Sequence, residues 1–204
     1  VQVGGACGRR GRETSVLVTG AEEGEVCRKE IVEAYGFSSV KQVVPGGNER
    51  YDSVWNGLCA LKAAGFPEDG IVLIHDGARP LVSADIIKRS MQAVKEYRAC
   101  VAGMPVKDTI KIADEDGYAK LTPERSKVWQ IQKQQDLSYP LVYETDRKML
   151  ADEDSAITDD AMVVERMTNQ PVKLIEGNYR NIKITTPEDM LIAEMYLKQG
   201  TSNI

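Results

Sequence analysis

Apolar residues fall along this chain in two alternating rhythms. Short runs, Val16-Leu17-Val18, Lys41-Gln42-Val43-Val44, Ile71-Val72-Leu73-Ile74, Val101-Ala102-Gly103-Met104 and Val172-Lys173-Leu174-Ile175, read as strands. Between them apolar positions recur at helical spacing. Cys27, Ile31 and Ala34 mark a helix over 22–35 that Gly36 stops, Val54, Leu58 and Leu61 one over 52–64, and Ile87, Met91 and Val94 one over 84–97. Further helices are predicted over 140–152 and 160–167. A last one, to about Lys198, has Thr186 as N-cap, Pro187 at its first position and Glu188 and Asp189 in its first turn. This alternation predicts an α/β protein with a mostly parallel twisted sheet flanked by helices. The rhythm breaks between about 108 and 132. There Thr109-Ile110-Lys111-Ile112 and Val128-Trp129-Gln130-Ile131 flank the turn Asp114-Glu115-Asp116-Gly117, which predicts an antiparallel β-arm projecting from the main sheet.

The bulk composition narrows the function classes. A chain of 204 residues, 42% hydrophobic and 28% charged, is expected to form a single domain over 1–204. Its net charge of -5 argues against a general nucleic-acid partner and leaves room for a local basic pocket that takes a small phosphorylated ligand. No apolar run reaches the roughly 20 residues of a membrane span, and Val1-Gln2-Val3-Gly4 does not read as a signal peptide, so a cytoplasmic location is expected. Cys7, Cys27, Cys59 and Cys100 have no metal-ligand spacing, and His75 is the sole histidine. Neither a His-based zinc site nor a serine triad with a histidine base can therefore be spread across the chain. Chemistry here rests on carboxylates, cations and hydroxyls.

Such groups gather where strands end. Ile74-His75-Asp76-Gly77-Ala78-Arg79-Pro80 puts a carboxylate and a guanidinium three residues apart beyond an apolar strand, where open α/β sheets bind their ligands. Asp76 suits a metal or a hydroxyl, and Arg79 a phosphate. Gly4-Gly5-Ala6-Cys7-Gly8-Arg9-Arg10 reads as a loop whose backbone N–H groups cradle phosphates, with guanidinium groups beside it. Gly46-Gly47-Asn48-Glu49-Arg50, followed by Ser53, offers backbone donors and a hydroxyl near a helix N-terminus. Taken singly, each is equally a turn, a cap or a surface ion pair.

Together with Thr122-Pro123-Glu124-Arg125-Ser126 and the stretch Asn181 to Asp189, these motifs strongly resemble the 2-C-methyl-D-erythritol 4-phosphate cytidylyltransferases of the non-mevalonate isoprenoid pathway, in register from about Gly20 to Leu197. The resemblance implies a Rossmann-like nucleotidyltransferase domain, a homodimer formed through the β-arm, Mg²⁺, and cytidylyl transfer from CTP to 2-C-methyl-D-erythritol 4-phosphate. It further implies that Gly4, Gly5 and Gly8 cradle the triphosphate and that Arg10 stabilises the transition state. On the same basis Gly47, Asn48 and Ser53 contact cytidine, while Asp76, Arg79, Thr109, Arg125, Thr158 and Lys183 form the acceptor site. Mg²⁺ is expected on the CTP phosphates, with Asp76 as a possible ligand.

This chain departs from the family pattern at three places. Ala6 replaces a usual glycine, and Lys133-Gln134 stand for a Thr-Pro pair. Only Gly11-Arg12-Glu13-Thr14 separate the glycine run from the next strand, where the family has a long segment with a Lys-Gln pair whose lysine contacts the nucleotide phosphates. Four residues cannot carry a parallel crossover, so a segment is expected to be missing near 11–14. Two rival readings follow: a cytidylyltransferase for a pentitol phosphate such as ribitol 5-phosphate, and a catalytically dead homologue that only binds nucleotide. A nicotinamide dehydrogenase is disfavoured, because no G-x-G-x-x-G opens a complete βαβ unit.

Overall fold

The computed structural model describes residues 2–7, 13–150 and 160–201. Seven strands form the main sheet: β1 (Gln2–Cys7), β2 (Glu13–Thr19), β3 (Val40–Pro45), β4 (Ile71–Asp76), β5 (Ala99–Pro105), β8 (Trp129–Ser138) and β9 (Lys173–Glu176). Their spatial order is β3-β2-β1-β4-β8-β5-β9. Parallel pairs β2–β3 and β5–β9, with antiparallel pairing of β1 to β2 and β4 and of β8 to β4 and β5, leave five strands pointing one way and two against them. The fold is α/β, as the alternating pattern predicts.

The helices are α1 (Gly24–Cys27, continued by a π-helical Arg28–Glu33), α2 (Arg50–Ala63), α3 (Ala84–Tyr97), α4 (Tyr139–Met149), α5 (Asp160–Met167) and α6 (Pro187–Thr201). Val54, Leu58 and Leu61 of α2 pack with Val142 of α4 and Val164 of α5 against Val16, Val72, Ile74 and Leu137, which makes the larger core. Ala93 and Val94 of α3 pack with Cys100, Ile71 and Ile175 in a second, smaller cluster. α3 has the predicted limits because both ends are fixed locally. The Ser83 hydroxyl accepts from Ile86 N at 3.4 Å, and Arg98, at φ 69°, turns the chain out of the helix.

Two expectations change. The excursion leaves the sheet after Pro105 and rejoins it at Trp129, so it ends before 132, and Gln132 to Ser138 continue β8 in the main sheet. Inside the arm, β6 (Ile112–Ala113) pairs antiparallel with β7 (Ala119–Leu121) around a turn in which Asp114 Oδ1 accepts from Asp116 N and Tyr118 N, with Gly117 at φ 84°.

The second change concerns the glycine run. Gly4 pairs with Val16 and Ile74, and Gly5 with Ser15 and Leu73, so both are mid-strand residues of β1 between β2 and β4 instead of loop residues. β1 runs antiparallel to both β2 and β4, so no parallel crossover joins it to β2. Cys7, paired with Glu13 of β2, sits beside Ile71, the far end of β4 from Asp76, roughly 16 Å away at ~3.3 Å per residue. Gly8, Arg10 and most of the expected gap at 11–14 lie outside the described residues.

Candidate active site

Strands β2, β3, β4, β5 and β9 all end on the same edge of the sheet, and two cavities open there. One follows β4. The chain turns at once after Asp76: Arg79 N donates to Asp76 O at 2.9 Å, Ala78 N to Asp76 Oδ1 at 3.3 Å, and His75 Nε2 to Arg79 O at 2.9 Å. Because a carbonyl only accepts, His75 carries its proton on Nε2. Burial lowers the His75 pKa further, so it serves as a neutral brace for the turn.

The segment after β9 closes over this turn. Ile184 N donates to Ala78 O at 2.8 Å, Arg79 Nη1 to Asn181 O at 2.8 Å, and Lys183 Nζ lies 3.5 Å from Asp76 Oδ2. Burial pushes the Asp76 carboxyl up, but the Ala78 N–H, Lys183 and the charge of Arg50 outweigh it and hold it below the usual aspartate value. Burial lowers the Arg79 pKa, with Asp76 opposing the shift. The loop itself is pinned from β8, where Gln132 Nε2 donates to Asn178 O at 2.5 Å and Gln132 Oε1 accepts from Asn178 N at 3.2 Å. The Tyr179 hydroxyl donates to Pro105 O at 2.8 Å, and Lys107 Nζ stands 3.8 Å from the centre of its ring. Around these groups lies a cavity of about 240 Å³ lined by Arg79, Asn181 and Lys183 together with Met104, Gln130, Ile131, Gln132, Tyr179 and Ile182. It offers cations for a phosphate and neutral polar and apolar surface for the rest of a ligand.

The other cavity, about 360 Å³, lies between the ends of β2 and β3 and is lined by Thr19, Gly20, Gly46, Gly47, Asn48 and Ser53, among others. Gly46 N donates to Thr19 O at 2.7 Å, and Gly47 N to Ser53 Oγ at 3.1 Å. A Cβ on Gly47 would run into Asp52 Cβ, so the close approach of this loop to α2 requires glycine. Asp52 is held in place because it accepts from Glu49 N at 3.0 Å in a reciprocal cap of α2. Ser53 is therefore not the N-cap, and its hydroxyl instead ties the loop to Glu49 O at 3.1 Å.

The structure thus brings Arg79 and Lys183 to one cavity, with Asp76 held behind Lys183, and Gly47, Asn48 and Ser53 to another. Thr109 and Arg125 are exposed on the arm, where Arg125 Nη1 donates to Lys107 O at 3.3 Å. Neither lines the cavity of its own chain. Gly4 and Gly5 lie within the sheet, and Thr158 is outside the described residues. Gln132, Tyr179 and Asn181 line the cavity without having been singled out as site residues. Asn181 opens a motif read for its lysine, and the other two depend on long-range contacts for which short spacings carry no signal. Among the described residues no group of three His, Cys, Asp or Glu side chains is placed to hold a metal, and no helix is long and apolar enough to cross a membrane.

Comparison with known proteins matches residues 12–199 to the family model IspD, 2-C-methyl-D-erythritol 4-phosphate cytidylyltransferase. Residues 2–7 precede that span. A 2-C-methyl-D-erythritol 4-phosphate cytidylyltransferase of Alkaliphilus oremlandii is 48% identical over 183 residues, covering 90% of this chain and 75% of that protein. One of Lachnoclostridium phytofermentans is 42% identical, covering 90% and 77%. The crystal structure of 4-diphosphocytidyl-2C-methyl-D-erythritol synthase from Anaerococcus prevotii superposes with a TM-score of 0.77 at 36% identity, over 90% of this chain and 78% of that one.

Proposed function

This chain belongs to the 2-C-methyl-D-erythritol 4-phosphate cytidylyltransferase family, and from that premise we propose how its two cavities divide the reaction. The chain transfers a cytidylyl group from CTP to 2-C-methyl-D-erythritol 4-phosphate, giving the CDP-linked methylerythritol and pyrophosphate. An oxygen of the acceptor phosphate attacks the α-phosphorus of CTP. A new P–O bond forms there as the bond to the β-phosphate breaks, and pyrophosphate leaves with the electron pair. No covalent enzyme intermediate is needed, and the protein contributes position and positive charge.

In this reading the cavity at Gly47, Asn48 and Ser53 holds the cytidine side, and the cavity at Arg79 and Lys183 holds the acceptor. Lys183 and Arg79 draw in the acceptor phosphate, and Asp76 fixes Lys183 while offering an acceptor for a polyol hydroxyl. The observation that carries the assignment is the convergence of two distant segments, 76–79 and 181–184, through Lys183–Asp76 and Arg79–Asn181. The glycine run of β1 takes no part in this assignment.

Mg²⁺ is part of the proposal. This ion commonly binds through one or two carboxylates together with substrate phosphates, and a single ionised carboxylate beside a phosphate-sized cavity suits it. Asp76 would hold it with the CTP phosphates, and when bound it would offset the charge of the triphosphate. We further infer a homodimer in which the arm carries Arg125 and Thr109 to the partner's acceptor cavity. Supporting it are their exposure away from their own cavity and the exposed apolar residues Ile110, Ile112, Tyr118 and Leu121 on the arm. A cytoplasmic location is supported by the unpaired thiols of Cys27, Cys59 and Cys100.

Neither rival reading is favoured, since relatives at 42% and 48% identity are named for the methylerythritol substrate. Pyrophosphate release from CTP and Mg²⁺, assayed with each polyol phosphate in turn, tests the assignment. Release is expected with methylerythritol phosphate, and equal or faster release with ribitol 5-phosphate would overturn the substrate.

A further inference from the structure

Asn181 is fully buried in the wall of the acceptor cavity, yet neither Nδ2 nor Oδ1 of its carboxamide has a hydrogen-bond partner. Arg79 Nε, in the same wall, is also buried and unpaired. The Asn181 backbone is fully engaged, since its N–H donates to Asn178 O at 2.9 Å and its carbonyl accepts from Arg79 Nη1 at 2.8 Å. The backbone thus fixes Asn181 between Arg79 and Lys183 and leaves the side chain free for another task. Buried polar atoms are rarely left unpaired, because each one costs free energy, and three such atoms around one cavity call for a ligand.

We propose that the Asn181 carboxamide is a specificity-determining group that reads a hydroxyl of the polyol acceptor. This rests on the assignment of this cavity to the acceptor. A neutral group that both donates and accepts complements a hydroxyl, which also does both, whereas the phosphate is served by the cations on either side of Asn181. The apolar side chains of Met104, Ile131 and Ile182 complete a surroundings suited to a carbon skeleton with few charges. Since the amide atoms are closed off in the free chain, the acceptor meets them only as the lining side chains yield. An acceptor without the matching hydroxyl leaves them unpaired at the end of that movement, and discrimination follows.

The test is binding of methylerythritol phosphate and its singly deoxygenated analogues, measured calorimetrically in the presence of Mg²⁺ and a non-hydrolysable CTP analogue, on the wild-type chain and on Asn181→Leu. Leucine keeps the volume and removes both polar atoms, so the melting temperature is expected to hold or rise. On the wild type one deoxy analogue should bind roughly 10- to 100-fold more weakly than the parent. On Asn181→Leu the parent should weaken to the level of that analogue, with CTP-analogue affinity unchanged. If wild type and variant bind every acceptor alike, the inference is overturned and the amide is a structural residue only. Should Asn181→Leu fail to fold, the wild-type series still decides, because equal binding of every deoxy analogue also overturns the inference. A wild-type chain that binds the CTP analogue but no methylerythritol phosphate would remove the acceptor assignment itself, and the inference with it.

Discussion

Asp136 gives the sharpest physical prediction outside the site. Its carboxylate, on β8, is fully buried against α3, with hydrogen bonds to Ser90 and to Gln134 Nε2, the latter at 3.3 Å, and its Oδ1 has no partner. Burial pushes its pKa up to about 7, against 3.8 for a free aspartate, with the two hydrogen bonds only partly opposing the rise. The folded state therefore holds a proton that the unfolded chain has released, and stability falls as pH rises from about 4 to about 7. Above pH 7 the penalty is complete, and the rise from 3.8 to about 7 sets its ceiling at about 4 kcal/mol. Asp136→Asn removes the charge, keeps an oxygen facing Gln134, and places its amide nitrogen where Oδ1 already lacked a partner. If half the ceiling survives repacking, the variant melts ~4–8 °C above the wild type at pH 8. Thermal denaturation followed by circular dichroism from pH 4 to pH 8.5 should show that gap shrinking towards acid. A gap independent of pH, or a less stable variant at pH 8, would refute the reasoning.

Other outcomes follow from the site. Asp76→Asn should lower turnover at least about tenfold while shifting the melting temperature by only a few degrees, since an ion pair whose lysine is half-exposed and 3.5 Å away contributes about 1 kcal/mol or less. A melting shift large enough to account for the lost activity would make the pair structural. Gly47→Ala should weaken CTP binding and cost about 1–3 kcal/mol of stability, because the new methyl meets Asp52 Cβ. Unchanged CTP affinity in titration would remove that loop from the nucleotide site. Co-expressed Arg125→Ala and Lys183→Ala subunits, isolated as heterodimers by two tags, should recover activity towards half the wild-type rate from two nearly inactive parents. Activity no greater than either parent would confine Arg125 to its own chain.

The sequence was most readable where local chemistry decides. α3 carries its own cap and its own stop, and the turn after β4 follows from Asp76 and an apolar strand that points at it. The meeting of Asp76 with Lys183, more than a hundred residues apart, was legible only through the family resemblance, because no local pattern encodes it. Elsewhere tertiary context prevailed. Gln132, Gln134, Gln135 and Asp136 look like a surface stretch, yet β8 carries them through the middle of the sheet, and their burial is set by β4 and β5 on either side. The glycine run suggested a phosphate loop by composition, but Gly4 and Gly5 pair antiparallel with β2 and β4, and composition carries no signal for that pairing. The empty bonding positions of Asn181 are a property of the packed site and leave no trace in residue spacing.

The central claim is cytidylyl transfer to methylerythritol phosphate, and phosphorus NMR of one reaction mixture observes it directly. With folded protein, CTP, Mg²⁺ and methylerythritol 4-phosphate, the three CTP resonances and the acceptor monoester signal should decay together. Pyrophosphate and a pair of coupled diphosphate-diester resonances should replace them in equal amounts. Persistence of the CTP and monoester signals with a correctly folded protein, or conversion of CTP to CDP or CMP with the acceptor untouched, would contradict the account.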